Sequence, residues 1–202
     1  NQVEVTKRAR AAALATLAPS VRAERQLSVQ EVLFDPEIPA LGNPDGAITI
    51  AEYFRDQGLQ VTDTVLFNSM VGSEETVELA GVKAVASGYP LRGSVRIAPA
   101  PNQPDAVASD IPAPGEIWLD ERLYAALGVR TGDTVELGLK TLRVAAMVSF
   151  ESDRGTNFFS LLPRAIFNQA DLADAGLLIE GSRATWRLHV AGTLAQVEAF
   201  QK

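Results

Sequence analysis

Three runs with strand character, Val61 to Val71, Thr76 to Ala86 and Ser94 to Ala98, restrict the folding choices of this chain more than any other feature. Successive side chains of a strand point to opposite faces, so such runs become stable only when paired and covered by another layer. Gly72-Ser73-Glu74-Glu75 has the composition of a hairpin turn, and the runs are expected to pair antiparallel. Gly115 to Leu119 reads as a strand delivering Asp120 to a helix N-cap, with Glu121 in the first turn. Leu123, Tyr124, Ala126 and Leu127 form the buried stripe of that helix, and Gly128 ends it. Thr134 to Leu137 and Leu142 to Phe150 read as two strands joined at Gly138-Leu139-Lys140, with Phe158 to Leu162 as another.

Helices are expected around these strands. Val3 to Ala18 is rich in Ala, Leu, Lys and Arg and stops at Pro19, which cannot continue a helix interior. Val21 to Phe34 reads as a strand, with helix left open, and Asp35 to Gly46 as a surface connection rich in Pro and Gly. Thr49 to Gln57 is a short helix stopped by Gly58. Helix, strand and helix are expected over Arg164 to Leu172, Arg183 to Ala191 and Thr193 to Gln201. The fold class is α+β, with mixed or antiparallel sheets and flanking helices. The chain is read as one domain, divisible into lobes of about 1–98 and 115–202 joined by the Pro-rich connector 99–114.

Composition narrows function. The 18 basic and 25 acidic side chains give a net charge of −7, and no local run supplies the basic face that a phosphate backbone or an anionic membrane requires. With no cysteine there is no disulfide, thiolate nucleophile or cysteine metal site. No apolar stretch approaches the roughly 20 residues of a spanning helix. The opening at Asn1, without Met, suggests a piece of a longer protein.

Chemistry finds little purchase. The single histidine, His189, sits in the alternating run of Trp186, Leu188 and Val190 and reads as an outward strand residue rather than a general base. Its isolation from further ligand residues leaves no recognised metal spacing, and no cofactor is expected. Glu151 and Asp153 could pair as acid and base of a hydrolase, but carboxylates beside Arg154 and Gly155 more commonly form turn hydrogen bonds and a local ion pair. Gly128-Val129-Arg130-Thr131-Gly132-Asp133 precedes a strand, unlike a phosphate-binding loop, and reads as a turn into a small barrel or sheet. Phe158 and Phe159 are adjacent, so one faces away from a one-sided core, toward a partner or another lobe.

Several phrases together carry a resemblance. Phe67-Asn68-Ser69-Met70-Val71, Leu79-Ala80-Gly81-Val82-Lys83-Ala84-Val85 and Gly88-Tyr89-Pro90-Leu91-Arg92-Gly93 are similar to the extracytoplasmic domain of FtsX/MacB-type ABC transporter permeases, nearest to the YbbP branch of lysophospholipase-associated permeases. The likeness runs on through Glu151-Ser152-Asp153 and Pro163-Arg164 and covers about Gly58 to Gly192, while Val29 to Ile50 departs from the pattern. It implies a MacB-like periplasmic core, without catalytic residues, held outside an inner-membrane permease that pairs with a cytoplasmic ATP-binding ABC subunit. It further implies mechanotransmission, export or extraction of lipid-like or hydrophobic compounds, and association with a periplasmic lysophospholipase-type esterase. Tyr89, Pro90, Leu91, Arg92 and Gly93 are the expected structural signature, with Arg92 bracing a turn, and Phe158 with Phe159 the expected contact surface. A free-standing periplasmic binding protein for an apolar or acyl ligand is the alternative.

Overall fold

A computed structural model describes residues 26–30, 51, 54–55, 58–154, 161–178, 182–193 and 196. The elements expected over 3–18, 31–46 and at Phe158, and most of those over 49–57 and 193–201, lie outside them. In chain order the elements are β1 (Gln26–Gln30), β2 (Gln60–Gly72), β3 (Val77–Val85), β4 (Val95–Ala98), β5 (Ala106–Val107) and β6 (Glu116–Asp120). There follow α1 (Glu121–Ala126), β7 (Thr134–Leu137), β8 (Lys140–Glu151), β9 (Arg164–Asn168), a 3-10 turn over Gln169–Asp171, and β10 (Ala184–Ala191).

The chain divides into two compact units, residues 64–184 and residues 1–63 with 185–202, rather than at the connector 99–114. In the smaller unit β1 and β10 pair antiparallel, from Gln26 opposite Ala191 to Gln30 opposite Arg187. His189 is buried there, at 3% exposure, and not the outward residue that alternation suggested. Alternation places His189 on the face opposite Leu188 and Val190, but it cannot say whether that face is also covered.

In the larger unit six strands close a ring. β2 pairs antiparallel with β3, β3 parallel with β9, β9 antiparallel with β6, and β6 parallel with β8. β8 then pairs antiparallel with β7, and β7 returns to β2 through Val71 opposite Leu137 and Gly72 opposite Glu136. One alternate set of side chains fills the interior. Phe67 lies opposite Val82, Ala84 opposite Phe167, Phe167 opposite Ile117, Ile117 opposite Val144, Leu142 opposite Val135, and Leu137 opposite Val71, all buried. Phe67 and Phe167 meet edge to face, with ring centroids 6.5 Å apart.

The other alternate set makes a second core outside the ring. Val85, Trp118, Ala146, Val148 and Ile166 pack there with Tyr89 and Val95, and Ile97, Ala108 and Ile111 add partly buried cover. The segment 99–114 is largely exposed, as expected, but through Ala108 and Ile111 it also contributes to this cover. It contributes β5, which pairs with β4, while Ala108 N–H donates to the Val95 carbonyl and Asn168 Nδ2 donates to the Pro112 carbonyl. Its prolines preclude a regular run but leave these main-chain bonds intact.

Local signals were obeyed around α1. Asp120 Oδ1 accepts from Leu123 N–H at 2.9 Å, and Gly128 takes φ of 65° just past the helix. Asp133 Oδ2 accepts from Arg130 N–H at 2.8 Å, closing the turn that leads into β7. The helix expected over Arg164 to Leu172 is instead β9 and the 3-10 turn. Arg164 to Phe167 are all buried, with Ala165 and Phe167 toward the interior and Ile166 in the outer core. A short apolar run buried on both faces has no period that separates strand from helix.

Candidate functional site

The outer wall of the barrel carries charge where apolar packing would be expected. Lys83 stands between Val82 and Ala84 in β3 and is fully buried, with Glu151 at the end of β8 and Arg164 at the start of β9 buried beside it. Parallel pairing of β3 with β9 sets Gly81 opposite Arg164 and Lys83 opposite Ile166, which brings both cations to one wall. Tyr89 reaches the same place from the turn after β3, and Asp153 from the turn after β8.

Every donor on the Lys83 ammonium has a partner. Nζ donates to Glu151 Oε1 at 2.5 Å, to both Asp153 oxygens at 2.9 Å, and to the Tyr89 hydroxyl at 2.8 Å. The Tyr89 hydroxyl in turn donates to Asp153 Oδ1 and lies 3.3 Å from Glu151 Oε1. Lys83 Nζ sits 4.8 Å from the centre of the Tyr89 ring, a cation–π distance. Arg164 Nε lies 3.2 Å from Glu151 Oε2 as an ion pair without hydrogen-bond alignment, and its Nη1 donates to the Gly81 carbonyl at 3.3 Å. Two cations face two carboxylates, so the cluster is neutral. Neutrality matters because an unpaired charge at such depth costs several kcal/mol.

Burial, and then the neighbouring Glu151 and Asp153 charges, push the Tyr89 hydroxyl far above its ordinary pKa of 10.0. Tyr89 is thereby held as a neutral donor. The carboxylates are spent on Lys83, Arg164 and Tyr89, and do not form the local pair with Arg154 that their spacing suggested. Arg154 instead binds Asp120 Oδ2 at 2.8 Å and the Leu162 carbonyl at 3.1 Å. An acid and base separated from substrate by their own ion partners are poorly placed for proton transfer.

The expected signature residues separate in role. Tyr89 is a member of the network, and Tyr89–Pro90 is a cis peptide. Pro90 and Leu91 are half-buried, and Arg92 Nη1 donates to the Leu91 carbonyl at 2.7 Å. Gly93 has φ of 76°, and a side chain there would overlap Ser152. Phe158 and Phe159 lie outside the described residues. Lys83 and Arg164 were missed as a pair, although a Lys flanked by Val and Ala in a strand is a signal, since buried Lys is almost always partnered.

Among the described residues no group of His, Cys, Asp or Glu is arranged to hold a metal ion, and no helix is long and apolar enough to cross a membrane. No family model matches the chain. It is 36% identical over 151 residues to the ABC transporter permease YbbP of Escherichia coli, a span covering 75% of this chain and 18% of that protein. The extracellular domain of the noncanonical ABC-type transporter YknZ from Gram-positive bacteria superposes with a TM-score of 0.50 at 12% identity, covering 75% of this chain and 77% of that one. A permease domain from Porphyromonas gingivalis gives a TM-score of 0.49 at 10% identity, covering 72% and 67%. The chain is thus a homologue, over three quarters of its length, of the ABC transporter permease YbbP, of which it spans 18%, and it shares its fold with the extracellular domain of the ABC-type transporter YknZ.

Proposed function

We propose that this domain is non-catalytic and couples ATP hydrolysis by a cytoplasmic ABC subunit to export or extraction of lipid-like or hydrophobic compounds, or to work on a periplasmic partner such as a lysophospholipase-type esterase. The observation that carries the reading is the 36% identity to a permease over three quarters of the chain. Because the chain spans 18% of that relative, the ATPase, the cargo and the partner all belong to the proposal.

The architecture supports a mechanical role. A domain that transmits movement has to resist deformation, and a closed ring leaves its strands few ways to slide. The Lys83 network adds a second tie by fastening the Tyr89 turn and the end of β8 to the same wall. Tyr89, Pro90, Leu91, Arg92 and Gly93 then serve as a brace and not as a ligand site.

The test is reconstitution of the intact permease with its ATP-binding subunit in proteoliposomes, following ATP-dependent removal of a fluorescent acyl lipid. A permease lacking residues 64–184 is expected to leave ATP hydrolysis running while extraction stops. Extraction at the full rate without the domain would overturn the reading. Saturable binding of lysophospholipid to the isolated chain would instead favour the free-standing binding protein.

A further inference from the structure

The outer wall of the barrel is covered unevenly. β4, β5 and the segment after them lie over β6, β8 and β9, and the Lys83 network closes the far end of β3. The wall is bare where β2 and β3 approach their turn. Met70 lies opposite Leu79 and Gly72 opposite Val77, and Met70, Val77 and Leu79 are 49%, 59% and 45% exposed. A side chain on Gly72 would meet Val77 Cγ2 at 3.6 Å and Glu136 Cβ at 3.9 Å, so Val77 and Glu136 flank a glycine gap on one surface. Val107, Leu139, Phe150 and Leu161 are exposed as well, but Val107 and Phe150 each lie opposite Arg96, and Leu139 and Leu161 lie in turns, so none of them faces an apolar partner across a strand pair. A directly opposed apolar pair facing solvent with a third apolar residue beside it is a strip, not a scatter of single exposed residues.

Charge identifies what would fit the strip. Glu74, Glu75 and Glu136 are exposed at its rim, and none has an ion pair among the described residues. Between Arg55 and Lys83 the sequence contains no Lys or Arg, and Lys83 is consumed in the buried network. The exposed charges that β2, β3 and their turn carry beside the strip are therefore acidic. A second copy of a chain of net charge −7 would set like charges against each other, and an anionic lipid surface would do the same. We propose that Met70, Val77 and Leu79, with Glu74, Glu75 and Glu136 as rim, form the docking surface for a partner polypeptide that carries Lys or Arg beside apolar side chains. Met70 suits such a role because its flexible thioether adapts to the shape laid on it. The inference names a partner chemistry for the permease reading, but it rests on the barrel wall alone and survives if transport coupling fails.

The test uses the 202-residue chain and a fluorescent amphipathic Leu/Lys peptide, read by anisotropy at low and at physiological salt. The double substitution M70S/L79S, which changes exposed positions, and the triple substitution E74Q/E75Q/E136Q are each expected to weaken binding about tenfold or more, with melting temperature unchanged. D110N/E121Q, which removes two carboxylates elsewhere, is expected to leave affinity unchanged, and salt is expected to weaken the wild-type interaction. Three results overturn the proposal. They are binding absent or equal in all variants, concentration-dependent dimerisation abolished by L79S, and tighter binding to phosphatidylglycerol vesicles than to the peptide.

Discussion

Lys83 Nζ donates to Glu151 Oε1 at 2.5 Å across 68 positions of sequence, and both side chains are buried. The pair joins the C-terminal end of β3 to the end of β8 from outside the ring, where neither strand hydrogen-bonds to the other. Breaking a buried ion pair by removing one partner costs more than forming it gained, because the remaining charge stays buried.

Lys83→Met should therefore destabilise the domain by about 3–5 kcal/mol, since it leaves two carboxylates facing Arg164 alone. Asp153→Asn should cost less, about 1–2 kcal/mol, because the Asp153 side chain is 19% exposed and water can replace part of what it supplies. Urea unfolding of both variants checks the ranking. Equal losses would mean that Asp153 is as deeply committed as Lys83.

Tyr89→Phe removes a hydroxyl that accepts from Lys83 and donates to Asp153, and the expected loss is about 1–3 kcal/mol. The same hydroxyl predicts alkaline behaviour. Its folded pKa is raised above the ordinary 10.0, so its contribution is fully present below about pH 10 and declines as pH rises further, when the unfolded chain ionises first. Tyrosinate absorbance should show Tyr89 ionising only with unfolding, and Tyr89→Phe should flatten the alkaline limb of the stability curve.

Asp105 predicts the acid limb. Hydrogen bonds from Arg96 first, and then from Ser149, lower its pKa from 3.8 to about 2. A depressed carboxylate stabilises above its unfolded pKa and ceases to do so as pH falls through its folded value, so the window lies between about pH 4 and pH 2. Asp105→Asn should lower the melting temperature at neutral pH, converge with the wild type as pH falls to about 2, and so reduce the slope of melting temperature against pH within that window.

Gly93→Ala should destabilise by about 1–3 kcal/mol, because the positive φ is strained for Ala and the added methyl meets Ser152. Ser152→Gly in the same chain should recover the steric part while forfeiting the hydrogen bond from Ser94 N–H to Ser152 Oγ. A double-mutant cycle in thermal melts measures the coupling. Strict additivity would mean that the backbone shifts to relieve the overlap.

What the sequence determined by itself was local. Asp120 as N-cap, Gly128 as helix stop, Asp133 in its turn, and the β2–β3 and β7–β8 hairpins all follow from interactions within a few residues, which residue type and spacing encode directly. The Tyr-Pro-Leu-Arg-Gly phrase was visible as a unit in the sequence, and Arg92 bonds the carbonyl of its own neighbour Leu91. Tertiary structure decided everything that depends on long-range pairing. Closure of the ring through Val71 and Leu137, the strand state of Arg164 to Asn168, the burial of His189 and the partition of the chain at 63–64 and 184–185 have no local period to announce them. The fate of Glu151 and Asp153 shows the reason. Near Arg154 in sequence they looked like a solvated turn, but the parallel β3–β9 register sets Arg164 beside Lys83 on the same wall, and a buried cation draws the available carboxylates to itself because water is no longer there to compete.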